Sequence, residues 1–499
     1  MTMTERLAYR FGPLERRGLL GPIRAGQAAV IATSLVIALL ALDNLPDEVG
    51  AFLGLATVAV ATALTTLPTA GRTAEQWLPV VSSFALRGLV GGRTFRSTLP
   101  RSGMRVVQRP GGRQELNTPD VELPPALRGV ELRGLGAEGE GLGVIHESRG
   151  RRLTAVLACR ALAFALLDPE AQERRLAQWG LVLAGAAQSP IRRLQWIERT
   201  APAQGDELAR WLHSARDPSL PARGAPIVES YLELISSSSR VTNDHEVLLA
   251  VQVDATQIRG RREQSLESVL AEQTARIARG LEAAEIKVMG ALGVGQLAHA
   301  LRTAFDPYSR AELGALRAVD RERNGLESQA AGPLGVREHW DRYRCDGACH
   351  ATYWISGWPR VDVSPMFMDA LLGSSDTVRT VAVTFEPVPP ERSTRDVEAA
   401  ITRDRADSEL RRRFGQSETA RQRQAQESAI RREAELAAGH CEVRLAGFVT
   451  VSGRDEQELE RACAEVHQHA ARARLEVHRM YGQQADGFTF TLPLARGLR

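Results

Sequence analysis

Two uncharged apolar runs near the amino terminus constrain this chain more than any other feature. They span residues 25–42 and 49–67, and only the short acidic segment 43–48 separates them. Each run has about the length that a helix needs to cross the hydrocarbon core of a bilayer. A buried helical pair in a soluble core is the alternative, but uncharged runs of this length are rare in soluble domains. We therefore predict a hairpin of two transmembrane helices.

The charges that flank the hairpin predict its orientation. Five arginines precede the first run and four lie between the second run and residue 100, whereas the connecting turn has neither Lys nor Arg. Because positively charged flanks stay on the cytoplasmic side during insertion, both termini are expected in the cytoplasm. A cleaved signal peptide fits poorly, since the first run is long and no cleavage pattern follows Leu42. The sequence thus predicts a multi-pass protein of the cell membrane.

The segment after the hairpin has the pattern of an amphipathic helix. Apolar residues recur at helical spacing from Thr73 to Leu89, and Pro79 marks a kink or a first turn. Such a helix either lies on the lipid headgroups with Trp77 at the interface or packs on the next domain. Both interpretations stay open. Within the hairpin, the Gly50-x-x-x-Gly54 spacing permits close helix contact, but Gly is common throughout the chain.

Composition excludes some classes of protein. The formal net charge is +3 over 499 residues, which argues against a protein that coats nucleic acid and indicates no direct nucleic-acid binding. Five cysteines, an odd number, are scattered along a chain that is expected to be mostly cytoplasmic. We therefore expect free thiols and no disulfide framework.

From residue 124 onward, predicted strands and helices alternate, which favours a layered α+β fold. The predicted units are a membrane hairpin with basic flanks and a juxtamembrane helix, a linker, a first cytoplasmic α/β domain, the strand-rich part of a second domain, a charged helical arm and a C-terminal β-α-β unit of ferredoxin-like type. Their ranges are 1–100, 101–123, 124–337, 338–392, 393–440 and 441–499.

Several local predictions can be tested individually. Asp168 should cap a helix whose first residue is Pro169. Further helices are predicted at 206–216 and 227–236. In the terminal unit, a last short strand is expected over 488–492.

No motif for nucleotide binding or for a serine nucleophile is present. The phosphate-loop pattern needs a Lys directly after a Gly, but Lys287 is the only Lys and follows Ile286. The glycines at 290, 293 and 295 are interpreted as a turn from a strand to a helix. His467, His469, Asp404 and Asp407 lie in helical segments where packing or solvation explains them. We therefore predict that the chain is not an enzyme and has no catalytic or cofactor-binding residue.

Cys345, Cys349 and His350 form the cluster that most resembles a metal site. Zinc ligands often come as closely spaced pairs, but a second pair is then required. The only other pair with such spacing is Cys463 and His467, far along the chain. The intervening Asp346-Gly347 is typical of a hairpin turn. We therefore predict no metal ligand.

Two segments resemble components of conjugation machinery. Residues 71–77 with Phe84 and Arg87, directly after the hairpin, resemble the small PrgI-type inner-membrane subunits of conjugation and type IV secretion systems. The soluble region resembles the amino-terminal, non-motor part of the large conjugative ATPases of those systems. The matching segments are 153–167, 227–231, 245–249, 378–389 and the terminal phrase 486–494. The chain as a whole resembles an actinobacterial membrane-protein family that is found beside such proteins.

This resemblance implies a function but no ATP hydrolysis, because no motor follows the terminal phrase. The leading expectation is a membrane-anchored scaffold of a type IV-like conjugation or secretion system, which docks a separate conjugative ATPase at the cytoplasmic face. The alternative hypothesis is a component of a type VII secretion translocon. A membrane-tethered enzyme is the third and least favoured hypothesis. The expected partners are the lipid bilayer, inner-membrane secretion subunits and further copies of this chain, whose number the sequence does not set.

Overall fold

A computed structural model of the chain has two apolar helices at the amino terminus, followed by a mixed domain of helices and antiparallel sheet. The structure describes residues 25–66, 71–97, 105–108, 114–117, 123–135, 141–148, 151–160, 164–202, 226, 230, 243–258, 265–310, 313, 331–359, 361–373, 377–399, 402, 434–436 and 441–498.

The two apolar runs form helices α1 (Ala25–Asn44) and α2 (Asp47–Thr66), which pack against each other. Both are long and apolar enough to cross a membrane, and only 11% and 17% of their apolar windows are buried. That exposure contradicts a helical pair inside a soluble core. The chain is therefore a membrane protein, as the sequence predicted.

Small residues let the two helices approach closely. A Cβ atom on Gly50 would lie 2.8 Å from the carbonyl oxygen of Ala41, and one on Gly54 would lie 3.3 Å from that of Ala38. Gln27 Nε2 also donates a hydrogen bond of 2.7 Å to the Thr65 carbonyl at the other end of the pair. The Gly50-x-x-x-Gly54 spacing therefore does mark the helix contact.

The remaining helices and strands alternate much as the sequence predicted. The helices are α3 (Ala74–Leu89), α4 (Pro169–Ala187), α5 (Leu266–Ala283), α6 (Val294–Phe305), α7 (Asp369–Leu372), α8 (Glu456–Arg472) and α9 (Gln484–Thr489). The strands are β1 (Thr94–Arg96), β2 (Arg105–Gln108), β3 (Gln114–Asn117), β4 (Val130–Leu135), β5 (Leu142–Glu147), β6 (Arg152–Arg160), β7 (Ile191–Pro202), β8 (Asn243–Asp254), β9 (Lys287–Ala291), β10 (Gly335–Glu338), β11 (Tyr343–Cys345), β12 (Ala348–Gly357), β13 (Val378–Pro387), β14 (Val443–Gly453) and β15 (Glu476–Arg479).

Local signals in the sequence explain several boundaries. The Asp168 carboxylate accepts a hydrogen bond of 2.7 Å from Ala171 N and so caps α4, as predicted. Asp346, with φ of 45°, lies in the predicted turn between β11 and β12. The glycine-rich segment at 290–295 joins β9 to α6.

One continuous sheet contains two ferredoxin-like halves. In the first half, β6 lies between β8 and β9, and β7 pairs with the other side of β8. In the second half, β12 lies between β14 and β15, and β13 pairs with the other side of β14. The chain order of the four strands is the same in both halves. The predicted ferredoxin-like β-α-β units are therefore confirmed, and they occur twice.

The two halves join edge to edge through β7 and β13. These strands pair antiparallel, with Ile197 opposite Ala382. This pairing relates the halves by an approximate two-fold axis perpendicular to the sheet. Each half also begins with a hairpin, since β4 and β5 lead into β6, and β10 and β11 lead into β12.

Each face of the sheet carries its own apolar core. On β8, Leu249 and Val251 pack towards α4 and α5, whereas Leu248 and Ala250 pack towards α6 on the opposite face. The alternation follows from the two-residue repeat of a strand. Because both faces of the sheet are covered, the sequence of β8 contains a continuous apolar run.

The C-terminal segment 490–498 crosses the face that carries α6 and α9. Gln195 donates to the Phe490 carbonyl at 2.7 Å and accepts from Ala495 N at 2.7 Å. Thr384, in the second half, donates to the Arg496 carbonyl at 2.9 Å. The segment therefore ties the two halves together across their junction.

The prediction of a strand over 488–492 is wrong. Residues Gln484–Thr489 form helix α9, and the Gln484 side chain accepts a hydrogen bond of 2.8 Å from Thr352 N. Strand β12 is already paired on both sides, so its neighbourhood offers no free edge. The alternating apolar residues instead pack onto the face of the sheet.

Other predictions fall on residues outside the described part of the chain. These are the helices at 206–216 and 227–236 and most of the charged arm at 393–440, although residues 390–399 are helical. Within the expected linker, β2 pairs with β3 as a separate hairpin.

Candidate interaction sites: the membrane joint and the inter-half cleft

Helix α3 connects the transmembrane hairpin to the sheet domain through aromatic contacts. Trp77 and Phe84, on one face of α3, lie against Trp340 with ring centroids 5.9 Å and 5.1 Å apart. Val80, between them, is buried. The sequence left open whether this helix lies on the lipid headgroups or packs on the next domain. The contacts of Trp77 support packing on the domain. We call the contact of α3 with Trp340 and its neighbours the membrane joint.

Arg87 fixes the membrane joint by polar contacts. Its guanidinium donates to the Gly482 carbonyl at 2.7 Å and lies 3.3 Å from both Glu338 Oε1 and Asp486 Oδ2. Burial raises the pKa of Glu338, and the Ala485 amide and Arg87 oppose that rise by favouring its charged form. The arrangement locks α3 in one orientation on the domain.

Gly482 is required at this contact for steric reasons. Its φ is +67°, and a Cβ atom there would lie 2.5 Å from the Trp340 ring and 3.0 Å from Val80. Trp77, Phe84 and Arg87 stand out in the sequence, whereas Trp340 and Gly482 do not. Their role depends on tertiary proximity, which no local pattern in the sequence reveals.

The opposite face of α3 is apolar and exposed. Leu78 and Leu89 are 72% and 85% exposed, and Val81 and Leu86 extend the same stripe. The start of α3 lies beside the hairpin, because a Cβ atom on Gly26 would lie 3.3 Å from the Glu75 side chain. The stripe thus adjoins the ends of the transmembrane helices.

A second candidate site lies where the two halves of the sheet meet, and we call it the inter-half cleft. It is an open cavity of about 300 Å³ between α4 and α7, above β7 and β13. Its main lining residues are Leu176, Trp179, Trp196, Glu198, Leu372 and Phe385. Trp179 meets Trp196 and Phe385 edge to face at centroid distances of 6.2 Å and 5.8 Å, which fixes the aromatic walls.

Glu198 places a carboxylate among these apolar walls. Burial raises the pKa of Glu198 to about 7, and Asp369 adds to the rise while Arg379 opposes it. His245 Nδ1 lies 3.7 Å from Glu198 Oε1. At the rim, Arg175 is held by Glu285 at 2.7 Å. An acid in this setting suits recognition of a cationic group.

The cysteine and histidine cluster belongs to the packed core. Cys345 packs in the core on one face of the sheet and Cys349 in the core on the other, so their thiols do not converge on one point. His350 is held by Ser452 Oγ at 2.8 Å and by the Phe305 carbonyl at 2.9 Å, and burial lowers its pKa to about 4. Its partners give it a structural role.

The second pair considered for metal binding is split between core and surface, since Cys463 is buried and His467 is exposed. His467 meets the ring of Tyr353 edge to face at 5.1 Å. Burial raises the pKa of the Cys463 thiol. In the described part of the chain, no group of three or more His, Cys, Asp or Glu side chains is placed to hold a metal ion.

One comparison with known proteins bears on the function. Residues 242–355 match a family model described as "Putative type VII ESX secretion system translocon, EccE". The match runs from β8 to β12, which includes the link between the two halves, and covers less than a quarter of the chain. No curated protein matches the chain.

The match bears on the choice between the type IV and type VII secretion functions, both of which the sequence left open. It supports a component of a secretion apparatus and favours the type VII alternative over the type IV interpretation. The resemblance to PrgI-type subunits and to conjugative ATPases gains no support. With its two apolar helices, the chain is therefore a membrane protein that is similar, over β8 to β12, to a type VII translocon family.

Proposed function

We propose that this protein is a membrane-anchored structural component of a type VII-like secretion translocon. The observation that carries the proposal is the match to the EccE family model over residues 242–355, in a chain that also has a two-helix apolar hairpin. The matched segment contributes β8 and β9 to the first half of the sheet and β10 to β12 to the second, so the similarity includes strands of both halves. The proposal replaces a type IV scaffold that docks a conjugative ATPase.

The hairpin spans the membrane with both termini in the cytoplasm, and the sheet domain lies against the inner leaflet. The arginine-rich flanks and the acidic turn support this orientation. The exposed apolar stripe of α3, at Leu78, Val81, Leu86 and Leu89, then lies among the lipid headgroups. In this arrangement the membrane joint sets the position of the domain relative to the bilayer.

The protein acts by binding other subunits and has no catalytic activity of its own. The residues that most resembled a chemical site, Cys345, Cys349 and His350, have structural partners in the core. The partners are other membrane subunits of the same translocon. The two candidate surfaces for these contacts are the region around the membrane joint and the inter-half cleft.

Co-purification tests the proposal. The full-length protein, tagged at its amino terminus, is solubilised in mild detergent from its native host, and the bound subunits are identified. Type VII membrane subunits in constant proportion to the protein are expected. Recovery with a conjugative ATPase, or recovery without any secretion subunit, would overturn the proposal.

A further inference from the structure

In the described part of the chain, the second half of the sheet has no counterpart to the long helix α4 of the first half. In the first half, β6 and β7 are joined through α4, which has 19 residues. In the second half, the described residues between β12 and β13 contain only α7, which has 4 residues. Since the halves share one strand order, the second half has a shortened helical layer beside α4.

The inter-half cleft occupies this position. It lies between α4 and α7, and its floor includes Val381 and Val383 of β13 together with Trp196 of β7. An additional helix placed here would lie beside α4 and would complete the helical layer over β13. This position, which no helix among the described residues fills, therefore has the place and the apolar chemistry of a helix-binding groove.

The surface around the cleft extends the same apolar chemistry. Phe164 contributes to the cleft wall, and Leu166 next to it is 86% exposed. The cavity volume of about 300 Å³ is enough for a few anchoring side chains. Because the cavity is open to the surface, the rest of a bound helix can remain outside it.

The charges in the cleft indicate which kind of helix would bind there. Glu198 inside the cleft and Asp369 beside it are both acidic, and Asp369 adds to the rise in the pKa of Glu198 that burial causes. Of the nearby cations, Arg175 pairs with Glu285, whereas Arg379 attracts Glu198 and His245 Nδ1 lies 3.7 Å from Glu198 Oε1. A cationic side chain on the incoming helix would relieve the repulsion between the two acids.

We propose that the inter-half cleft is the docking site for an amphipathic helix of another subunit of the secretion apparatus. The helix inserts apolar side chains between Trp179, Trp196 and Phe385 and places a Lys or Arg at Glu198. This inference rests on the proposed function, because it names the mode by which a translocon subunit is held.

A defined peptide tests the cleft directly. The probe is a designed amphipathic peptide with Leu and Trp on one face and a Lys beside them, and its partner is the full-length protein in zwitterionic nanodiscs. Fluorescence anisotropy, corrected with empty nanodiscs, measures the affinity. We expect Glu198→Gln to weaken binding about tenfold, since a charge-assisted contact is lost. The same peptide with Glu in place of Lys should bind more weakly than the original.

Two further variants keep the test decisive. Leu372→Glu introduces a charge at the apolar wall and should abolish binding, while Glu173→Gln, on the exposed side of α4, should leave the affinity unchanged. Equal affinity of all three variants for the peptide would overturn the inference. So would absence of peptide binding to the unaltered protein.

A crosslinking experiment in cells distinguishes failure of this inference from failure of the proposed function. A photoreactive residue at Leu372 is activated in the full-length protein, and the linked peptide is sequenced. The inference expects a link to a basic amphipathic segment of a co-purified type VII subunit. If type VII subunits co-purify but no link forms at Leu372, the cleft inference fails and the proposed function stands. If no secretion subunit co-purifies, the proposed function fails, and the peptide assay still decides whether the cleft binds helices.

Discussion

Two sets of buried polar side chains in this domain have specific hydrogen-bond partners. Thr450 lies within hydrogen-bond distance of both Thr352 and Thr491, at 2.8 Å and 2.9 Å, in the core between the sheet and the C-terminal segment. Arg193 donates to Glu386 at 2.8 Å and to the Leu498 carbonyl at 2.8 Å. Each such pair removes the cost of burying an unpaired polar group and so specifies one register of packing.

Glu198 gives the clearest prediction at the scale of a residue. The pKa of Glu198 in the folded protein is about 7, above the usual value of 4.5, because the side chain is buried and Asp369 lies nearby. Arg379 opposes this rise, and His245 Nδ1 lies 3.7 Å from Glu198 Oε1. The folded protein then holds a proton that the unfolded chain releases, so this residue's contribution to stability falls as pH rises from about 4.5 to 7.

We therefore expect Glu198→Gln to raise the unfolding temperature above that of the unaltered protein at neutral pH and to have little effect near pH 4.5. Thermal unfolding of the full-length protein in detergent, measured across this range, provides the test. Glu173→Gln is the matched control. A variant whose difference from the unaltered protein does not change with pH would contradict the assignment.

Gly482 gives a second prediction at this scale. Gly482→Ala places a Cβ atom against Trp340 at a positive φ, so we expect a loss of about 1–3 kcal/mol in stability. Gly180, in the middle of α4, has open space around it, and Gly180→Ala should be neutral or stabilising by about 0.5–1 kcal/mol. Chemical denaturation of both variants measures the two changes. Similar stability of the two would exclude a steric role for Gly482.

At the scale of elements, the sequence predicted most of the described structure between residues 130 and 305, while the helices predicted at 206–216 and 227–236 lie outside it. Asp168-Pro169 marks the start of α4, and the apolar run of β8 matches a strand buried on both faces. The short helix α9 could not be predicted, because residues 484–489 are held by the Gln484 side chain bound to β12, a tertiary contact. The sequence also did not reveal that the sheet consists of two similar halves, because paired positions at their junction, such as Ile197 and Ala382, share only apolar character.

The transmembrane hairpin provides a prediction for helix packing. Gly54→Leu would force a side chain into the space occupied by Ala38 and should separate α1 from α2. The distance between nitroxide labels at Leu35 and Leu55, which are both exposed, should then increase and its distribution should broaden. Leu53→Ala serves as a control, because Leu53 is an exposed large apolar residue of α2. An unchanged distance in Gly54→Leu would mean that the glycine does not set the contact.

At the scale of the whole molecule, the candidate site was only partly predictable. The hairpin and the helix with Trp77 and Arg87 were evident in the sequence, but the inter-half cleft was not. Its walls come from α4, β7, the segment between α5 and β9, α7 and β13, which are up to about 220 residues apart and are brought together by the pairing of β7 with β13. Long-range edge pairing leaves no signal in a local pattern.

Membrane topology is the prediction for the whole molecule. From the arginine-rich flanks we expect the amino terminus in the cytoplasm and the turn at Leu45 outside it. A fluorescent protein fused to the amino terminus should therefore fluoresce, and alkaline phosphatase inserted after Leu45 should be active. Replacing Asp43, Asp47 and Glu48 with Arg should reduce the phosphatase activity, since positive charge in the turn opposes its export. The opposite pattern would invert the assigned orientation.

The strap formed by residues 490–498 also sets an order of events during synthesis. Gln195, Arg193 and Thr384 receive their partners only when these late residues leave the ribosome. The apolar hairpin is made several hundred residues earlier and is therefore available for insertion long before these contacts can form. We expect the hairpin to enter the membrane before the sheet domain completes its folding.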